Sequence, residues 1–187
     1  MSHNQATQHH SIRLRHYDYA QPGWYFITIC TLERKVAFGD VVDDKMCLNA
    51  SGELAQKTWT TLAERFSFVQ LDAFVVMPNH VHGIIILADA QTSFLRQDPD
   101  SGSAPERLQA SIQTKRSDHP VPSSSLGEVV RTFKGAATYL IRRAGNPTFA
   151  WQARYYEHII RNQQELDRIR AYIETNPARW AQDTLYK

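Results

Sequence analysis

Residues 74–87 read Phe-Val-Val-Met-Pro-Asn-His-Val-His-Gly-Ile-Ile-Ile-Leu. Two apolar runs rich in β-branched residues flank Pro78-Asn79, a pattern that predicts two strands joined by a tight turn. Side chains alternate faces along a strand, so His80 and His82 project together while Val81 turns to the opposite side, into the core. A pair of neutral imidazoles aimed off one face of a sheet is a ready pair of nitrogen ligands for a divalent metal.

The flanking sequence extends this hairpin into an α+β fold. Residues 24–32 (Trp-Tyr-Phe-Ile-Thr-Ile-Cys-Thr-Leu) form a β-prone run after the turn signal Pro22-Gly23, and residues 45–49 predict a short added strand. Residues 51–65 are helical, with Ala55, Trp59, Leu62 and Phe66 falling on one face. Ser125 followed by Glu128 predicts a capped helix that ends near Gly145-Asn146-Pro147. Residues 155–160 predict another main strand. Asn162 with Glu165 caps a last helix that stops before Pro177. The order β-α-β-β-α-β-α matches, in its first six elements, a ferredoxin-like βαββαβ antiparallel sheet with helices on one face.

The chain of 187 residues reads as one domain, residues 1–187. Residues 89–125 interrupt it with a Ser/Pro/Gln/Asp-rich stretch carrying four prolines, which predicts a flexible insertion. Net charge is +2, mild enough to permit nucleic acid as a partner without demanding it. Between residues 128 and 161 cations dominate, and Arg131, Lys134, Arg154 and Arg161 are candidates for phosphate contacts. Cys30 and Cys47 show no CxxC spacing, which points to a reducing compartment. No apolar stretch reaches membrane-spanning length and the first ten residues lack an apolar core, so the expectation is a cytoplasmic protein without a membrane partner.

On the last helix Leu166, Ile169 and Ile173 form the apolar stripe, with Tyr172 at its edge and Asn176 one turn on. Taken alone, Tyr172 is a core aromatic with a wet hydroxyl and Asn176 a helix stop. Taken with His80 and His82, they supply a nucleophile and three neutral metal ligands. Phosphodiester cleavage by a tyrosine needs a Lewis acid on the phosphate and a phenolic oxygen in line with the leaving oxygen. Mixed N/O donors suit Mg²⁺ or Mn²⁺.

The motifs Met77-Pro-Asn-His-Val-His-Gly83 and Tyr172-Ile-Glu-Thr-Asn-Pro177, with residues 15–19, 23–31, 133–134 and 151–161, resemble the REP-associated tyrosine transposases of bacteria. These are single-tyrosine HUH transposases. The resemblance implies that His80, His82 and Asn176 bind the metal and that Tyr172 is the catalytic nucleophile. It implies a transesterase that cuts and rejoins single-stranded DNA near REP-like hairpins through a 5′-phosphotyrosine intermediate. It also implies a monomer or homodimer working at the bacterial nucleoid. The chain ends soon after this helix, at Lys187, short of the extension that some relatives carry.

Two other functions fit parts of the sequence. A non-catalytic protein would bind single-stranded nucleic acid on the ferredoxin-like sheet, stacking bases on Trp24, Tyr25 and Phe26. A hydrolase using water would want a carboxylate near the histidines, and Asp72 is the nearest in sequence. The insertion yields a prediction of its own. Loop length carries only a logarithmic entropy cost, so replacing residues 89–125 by a short Gly/Ser linker should leave the melting temperature nearly unchanged. A large drop in thermal unfolding would show that the segment packs.

Overall fold

A computed structural model describes residues 20–88 and 125–185. The segments quoted above from residues 15–19 and 89–124 lie outside them. Four strands form the main sheet: β1 (Gly23–Cys30), β4 (Val69–Met77), β5 (His80–Leu87) and β6 (Tyr156–Ile160). Their order is β4-β5-β1-β6, with every neighbouring pair antiparallel. Chain order and pairing together make the ferredoxin-like arrangement. β4 and β5 are joined through Pro78-Asn79, with Met77 opposite His80, as the apolar runs predicted.

A second, two-stranded sheet pairs β2 (Gly39–Val42) with β3 (Lys45–Leu48). Asp43 and Asp44 connect them with φ of 49° and 61°, the left-handed pair that a two-residue hairpin turn requires. The helices are α1 (Ala50–Thr60), α2 (Leu62–Arg65), α3 (Leu126–Arg143) and α4 (Gln163–Thr175). The single helix expected over residues 51–65 is broken at Thr61. Its apolar stripe runs on regardless, with Ala55, Trp59 and Leu62 buried and Phe66 half-buried.

Caps define where three helices start. The Asn49 side chain accepts from Gly52 N, Ser125 from Glu128 N, and Asn162 from Glu165 N at 2.8 Å. Ser125 therefore belongs to α3, and the segment expected to be dispensable ends one residue earlier.

The two sheet faces carry different layers. On one, α1 and α3 bury Tyr25, Ile27, Ile29, Val81 and Ile85 around Trp59 and Phe133. On the other, α4 lays Leu166, Ile169 and Ile173 over Phe26, Ile84 and Ile160. Alternation along β5 puts Ile84, His82 and His80 on the α4 face and Val81, Gly83 and Ile85 on the α1/α3 face. An open base-stacking platform is therefore not what this sheet presents. Tyr25 is wholly buried on the first face and Phe26 lies under α4 on the second. Among the described residues no helix is long and apolar enough to cross a membrane.

A bulge in β4 interrupts the register between Leu71 and Phe74. It frees Asp72 to receive Arg170 of α4 through two hydrogen bonds, of 2.9 and 2.6 Å. Near the other end of α4, Glu165 takes the His158 ring at 2.7 Å and the Arg161 N–H at 2.9 Å. These contacts set both the position and the rotation of α4 on the sheet.

Gly83 marks the tightest approach between layers. A Cβ there would lie 2.4 Å from Trp59 Cζ2. The indole is held between Phe74, stacked at 4.3 Å, and Phe133, edge-on at 5.5 Å, so it has little room to retreat. Gly83→Ala should cost about 1–3 kcal/mol through overpacking. Urea unfolding checks this, and an unchanged midpoint would mean that Trp59 moves aside freely.

Candidate active site

The site is assembled from three stretches: β5, α4 and the turn of 3-10 helix Pro177–Gln182 that follows it. His80 and His82 face the same way, with their Nε2 atoms 3.0 Å apart. The expectation of a shared face holds. α4 and the following segment cover both rings and leave them 0% and 2% exposed. Truncating either ring would therefore open the core as well as the site.

Each ring is held by a second residue. Asn79 donates both amide hydrogens, to the carbonyls of Arg34 (3.1 Å) and Leu185 (2.7 Å). Its Oδ1 can only accept, so the 2.8 Å contact with His80 Nδ1 requires the proton on Nδ1. The lone pair of His80 is then on Nε2, facing His82. His82 Nδ1 lies 2.7 Å from the Thr28 hydroxyl, which can donate or accept and so supports either tautomer. Phe26 stacks on the same ring at 5.3 Å.

From α4, the Tyr172 hydroxyl comes within 3.2 Å of His82 Nε2. Its ring sits edge-on to Phe26 and His82, and 37% of the residue is exposed. Asn176, one turn on, is 2% exposed, and its Oδ1 is buried with no hydrogen-bond partner. Asn176 Nδ2 reaches Asp183 Oδ2 at 3.4 Å. Asp183 brings a carboxylate oxygen within 4.8 Å of a ring nitrogen of each histidine. Trp180 lies over His80 at 5.8 Å, and Leu185 N donates to Asp183 Oδ1 at 2.7 Å.

The donor set fits a divalent cation. A 3.0 Å separation is the chord that two nitrogens about 2.1 Å from one octahedral ion subtend. A buried amide oxygen without a donor is costly. A cation among His80, His82, Asn176 and Asp183 would give it a partner and take the His80 Nε2 lone pair.

Burial governs the protonation states. It pushes the His80 imidazole down to about 4, with Asp183 pulling upward and Arg34 adding to the fall. His82 is held well below its ordinary value, first by burial and then by His80. Both rings are therefore neutral at pH 7, the form a metal needs. Burial and then Asp183 raise the Tyr172 phenol, and the Asn176 side chain opposes them.

Sequence reading missed Asp183, Asn79 and Thr28. Asp183 follows a short 3-10 turn and carries no periodic signal. Asn79 stood in the motif but read as a turn residue. Thr28 faces His82 through the β1–β5 register, which places those two residues opposite each other. Asp72, the acid expected near the histidines, instead pairs with Arg170, which keeps its carboxyl below the ordinary range.

The four cations proposed for phosphate contact are dispersed. Arg131, on α3, pairs with Glu128 at 3.6 Å, and Lys134 donates to the carbonyls of Gln152 and Ala153, tying α3 to the segment before β6. Both are across the sheet from Tyr172. Arg154 and Arg161 are exposed near the two ends of β6. Tyr155 packs against the core and Tyr139 bonds Arg143. Tyr172 is thus, among the described tyrosines, the one whose hydroxyl is shown bonded to an imidazole of the pair.

An uncharacterized protein of Haemophilus influenzae is 37% identical over 183 residues, spanning 97% of this chain and 96% of that one. The chain belongs to one family with it. No protein-family model matches. Among solved structures, a REP-associated tyrosine transposase bound to a REP hairpin superposes with a TM-score of 0.54 at 20% identity, over 89% of this chain and 73% of that one. This chain has the fold of that transposase, as its motifs led us to expect.

The buried imidazoles predict how metal-free protein responds to acid. An unfolded histidine takes up its proton near pH 6.5, whereas folded His80 resists until about 4. The unfolded state thus binds more protons in between. Stability is full above pH 6.5 and falls as pH drops through that window, by about 2 kcal/mol at pH 5 from His80 alone. Thermal unfolding in chelator from pH 7.5 to 5 tests this. A melting temperature that stays flat would show that the rings are hydrated in the folded state.

Proposed function

We propose that the protein is a metal-dependent single-strand DNA transesterase of the REP-associated tyrosine transposase type. The observation that carries this reading is Tyr172, a part-exposed residue whose hydroxyl lies 3.2 Å from His82 Nε2, beside the buried and unpartnered Asn176 Oδ1. A core tyrosine would have no reason to share its hydroxyl's neighbourhood with two neutral imidazoles, an orphan amide oxygen and a carboxylate.

In this reading His80, His82 and Asn176 would hold a Mg²⁺ or Mn²⁺ ion, with Asp183 adding a charged oxygen, and the bound ion would supply Lewis acidity for the scissile phosphate. Asn79 and Thr28 keep the two rings oriented. The Tyr172 oxygen attacks phosphorus and forms a phosphotyrosine bond as the bond from phosphorus to the 3′ oxygen breaks. The phenol loses its proton to solvent and the departing oxygen gains one, leaving a 5′-phosphotyrosine and a free 3′-OH. A later 3′-OH reverses the exchange and rejoins strands. Because the phosphotyrosine conserves the bond energy, no nucleotide cofactor is consumed.

The partner is single-stranded or hairpin DNA, as in the solved transposase bound to a REP hairpin. Arg131, Arg154 and Arg161 offer exposed guanidinium groups to phosphates; Lys134, engaged by two carbonyls, contributes less. Such work places the protein in the cytoplasm at the nucleoid, as a monomer or homodimer.

Covalent trapping tests this. With Mn²⁺ and hairpin oligonucleotides from DNA flanking the gene, wild type should form an adduct on a denaturing gel, and chelator should abolish it. Tyr172→Phe removes one hydroxyl from a part-exposed edge, so folding and binding should persist while the adduct disappears, a loss of at least a hundredfold. Tyr155→Phe and Tyr156→Phe should retain it. An adduct mapping to another tyrosine would overturn the role of Tyr172, and cleavage without any adduct would establish hydrolysis by water.

A further inference from the structure

Alongside Tyr172 runs a groove of about 470 Å³ that none of the metal-facing residues occupies. Its walls are Arg168, Ile169, Ala171, Tyr172 and Thr175 of α4, with Arg179 from the 3-10 helix beyond. On α4, positions 168, 171, 172 and 175 are spaced i, i+3, i+4 and i+7, one continuous stripe along the helix. The floor is apolar where Ile169 and Ala171 line it. The hydroxyl of Thr175 is engaged by the Ala171 carbonyl at 2.7 Å. The only charged groups of the lining are the two guanidiniums. Both arginines are exposed, Arg168 with 77% of its side chain free beyond a 3.7 Å contact to Glu165.

The spacing matters. Arg168 stands one turn before Tyr172 on α4 and Arg179 lies in the 3-10 helix beyond, so the cations flank Tyr172 in the lining of one groove. An apolar trough flanked by cations matches an unpaired strand, whose bases offer flat π-faces and whose backbone carries one charge per nucleotide. Duplex would need a wider surface than this trough.

We propose that this groove is the track for the single strand being cut. Arg168 and Arg179 hold the phosphates on either side of the scissile one, and a neighbouring base lies on the Ile169–Ala171 floor. The inference rests on the transesterase reading for its substrate, and it adds two positioning residues and a path. The strand would thereby run alongside α4 with its scissile phosphate at Tyr172.

Salt-dependent binding of a fluorescent single-stranded oligonucleotide tests this, with melting temperature as the folding control. Arg168→Ala and Arg179→Ala should each reduce the slope of log affinity against log salt by about 0.7, the share of one single-strand phosphate. A neutral methylphosphonate beside the scissile position should weaken wild type as much as the matching arginine loss. Combined with that variant, it should add nothing. Ala171→Trp fills the trough at an exposed helical position and should weaken binding more than tenfold without lowering the melting temperature.

Unchanged slopes in both arginine variants, or additive losses from variant and methylphosphonate, would overturn the track. The covalent adduct is scored separately in wild type. Its absence with altered slopes would refute transesterase chemistry while sustaining the groove, and its presence with unaltered slopes would do the reverse.

Discussion

The rest of the site depends on two imidazoles buried edge to face beneath α4. Their Nε2 atoms are 3.0 Å apart in a place water barely reaches, and neither ring is charged at neutral pH. Burying one histidine without compensation is costly, and burying two side by side is more so. The fold compensates on the far side of each ring, where Asn79 and Thr28 occupy the Nδ1 atoms. On the near side it leaves the buried Asn176 Oδ1 without a donor. Such an arrangement would suit a cation better than plain core packing.

Bringing the tyrosine to that cavity is a problem of helix placement rather than of local sequence. α4 covers the sheet through Leu166, Ile169 and Ile173, yet an apolar stripe alone lets a helix slide and roll. The β4 bulge and the Asp72–Arg170 pair remove the rolling freedom on one side, and Glu165 with His158 and the Arg161 N–H do so on the other. Tyr172 and Asn176 then point at the imidazoles because they lie one turn apart on the face beside the stripe. Asp72 thus serves the site by geometry, without donating to it.

How much of this a reader of the sequence can see depends on whether the signal is periodic. The strands around Pro78-Asn79, the shared face of His80 and His82, and the Ser125 and Asn162 caps all follow from spacing. Tyr172 and Asn176 also follow, once the last helix is drawn. The break at Thr61 is invisible because the apolar stripe continues across it. β3 was legible but β2 was not: Gly39-Asp-Val-Val is short, and its turn uses Asp43-Asp44 instead of a glycine pair. Asp183 lies after an irregular turn, where no period exists to extrapolate. The burial of the histidines escaped for a related reason, since a strand's pattern says which face a residue is on and not what covers that face.

Exposure along α4 supplies the last step. Asn176 is almost fully buried, Tyr172 four residues earlier is 37% exposed, and Arg168 another turn back is largely in solvent. Trp180 lies over His80, and Asn79 holds the Leu185 carbonyl. The groove beside Tyr172 stays open, with Arg168 and Arg179 in its walls. A groove with guanidiniums in its walls and an apolar floor suits a flexible polyanion and would serve a small neutral substrate poorly. Burial meanwhile keeps His80, His82 and Asn176 dry, which strengthens the electrostatic interactions among them.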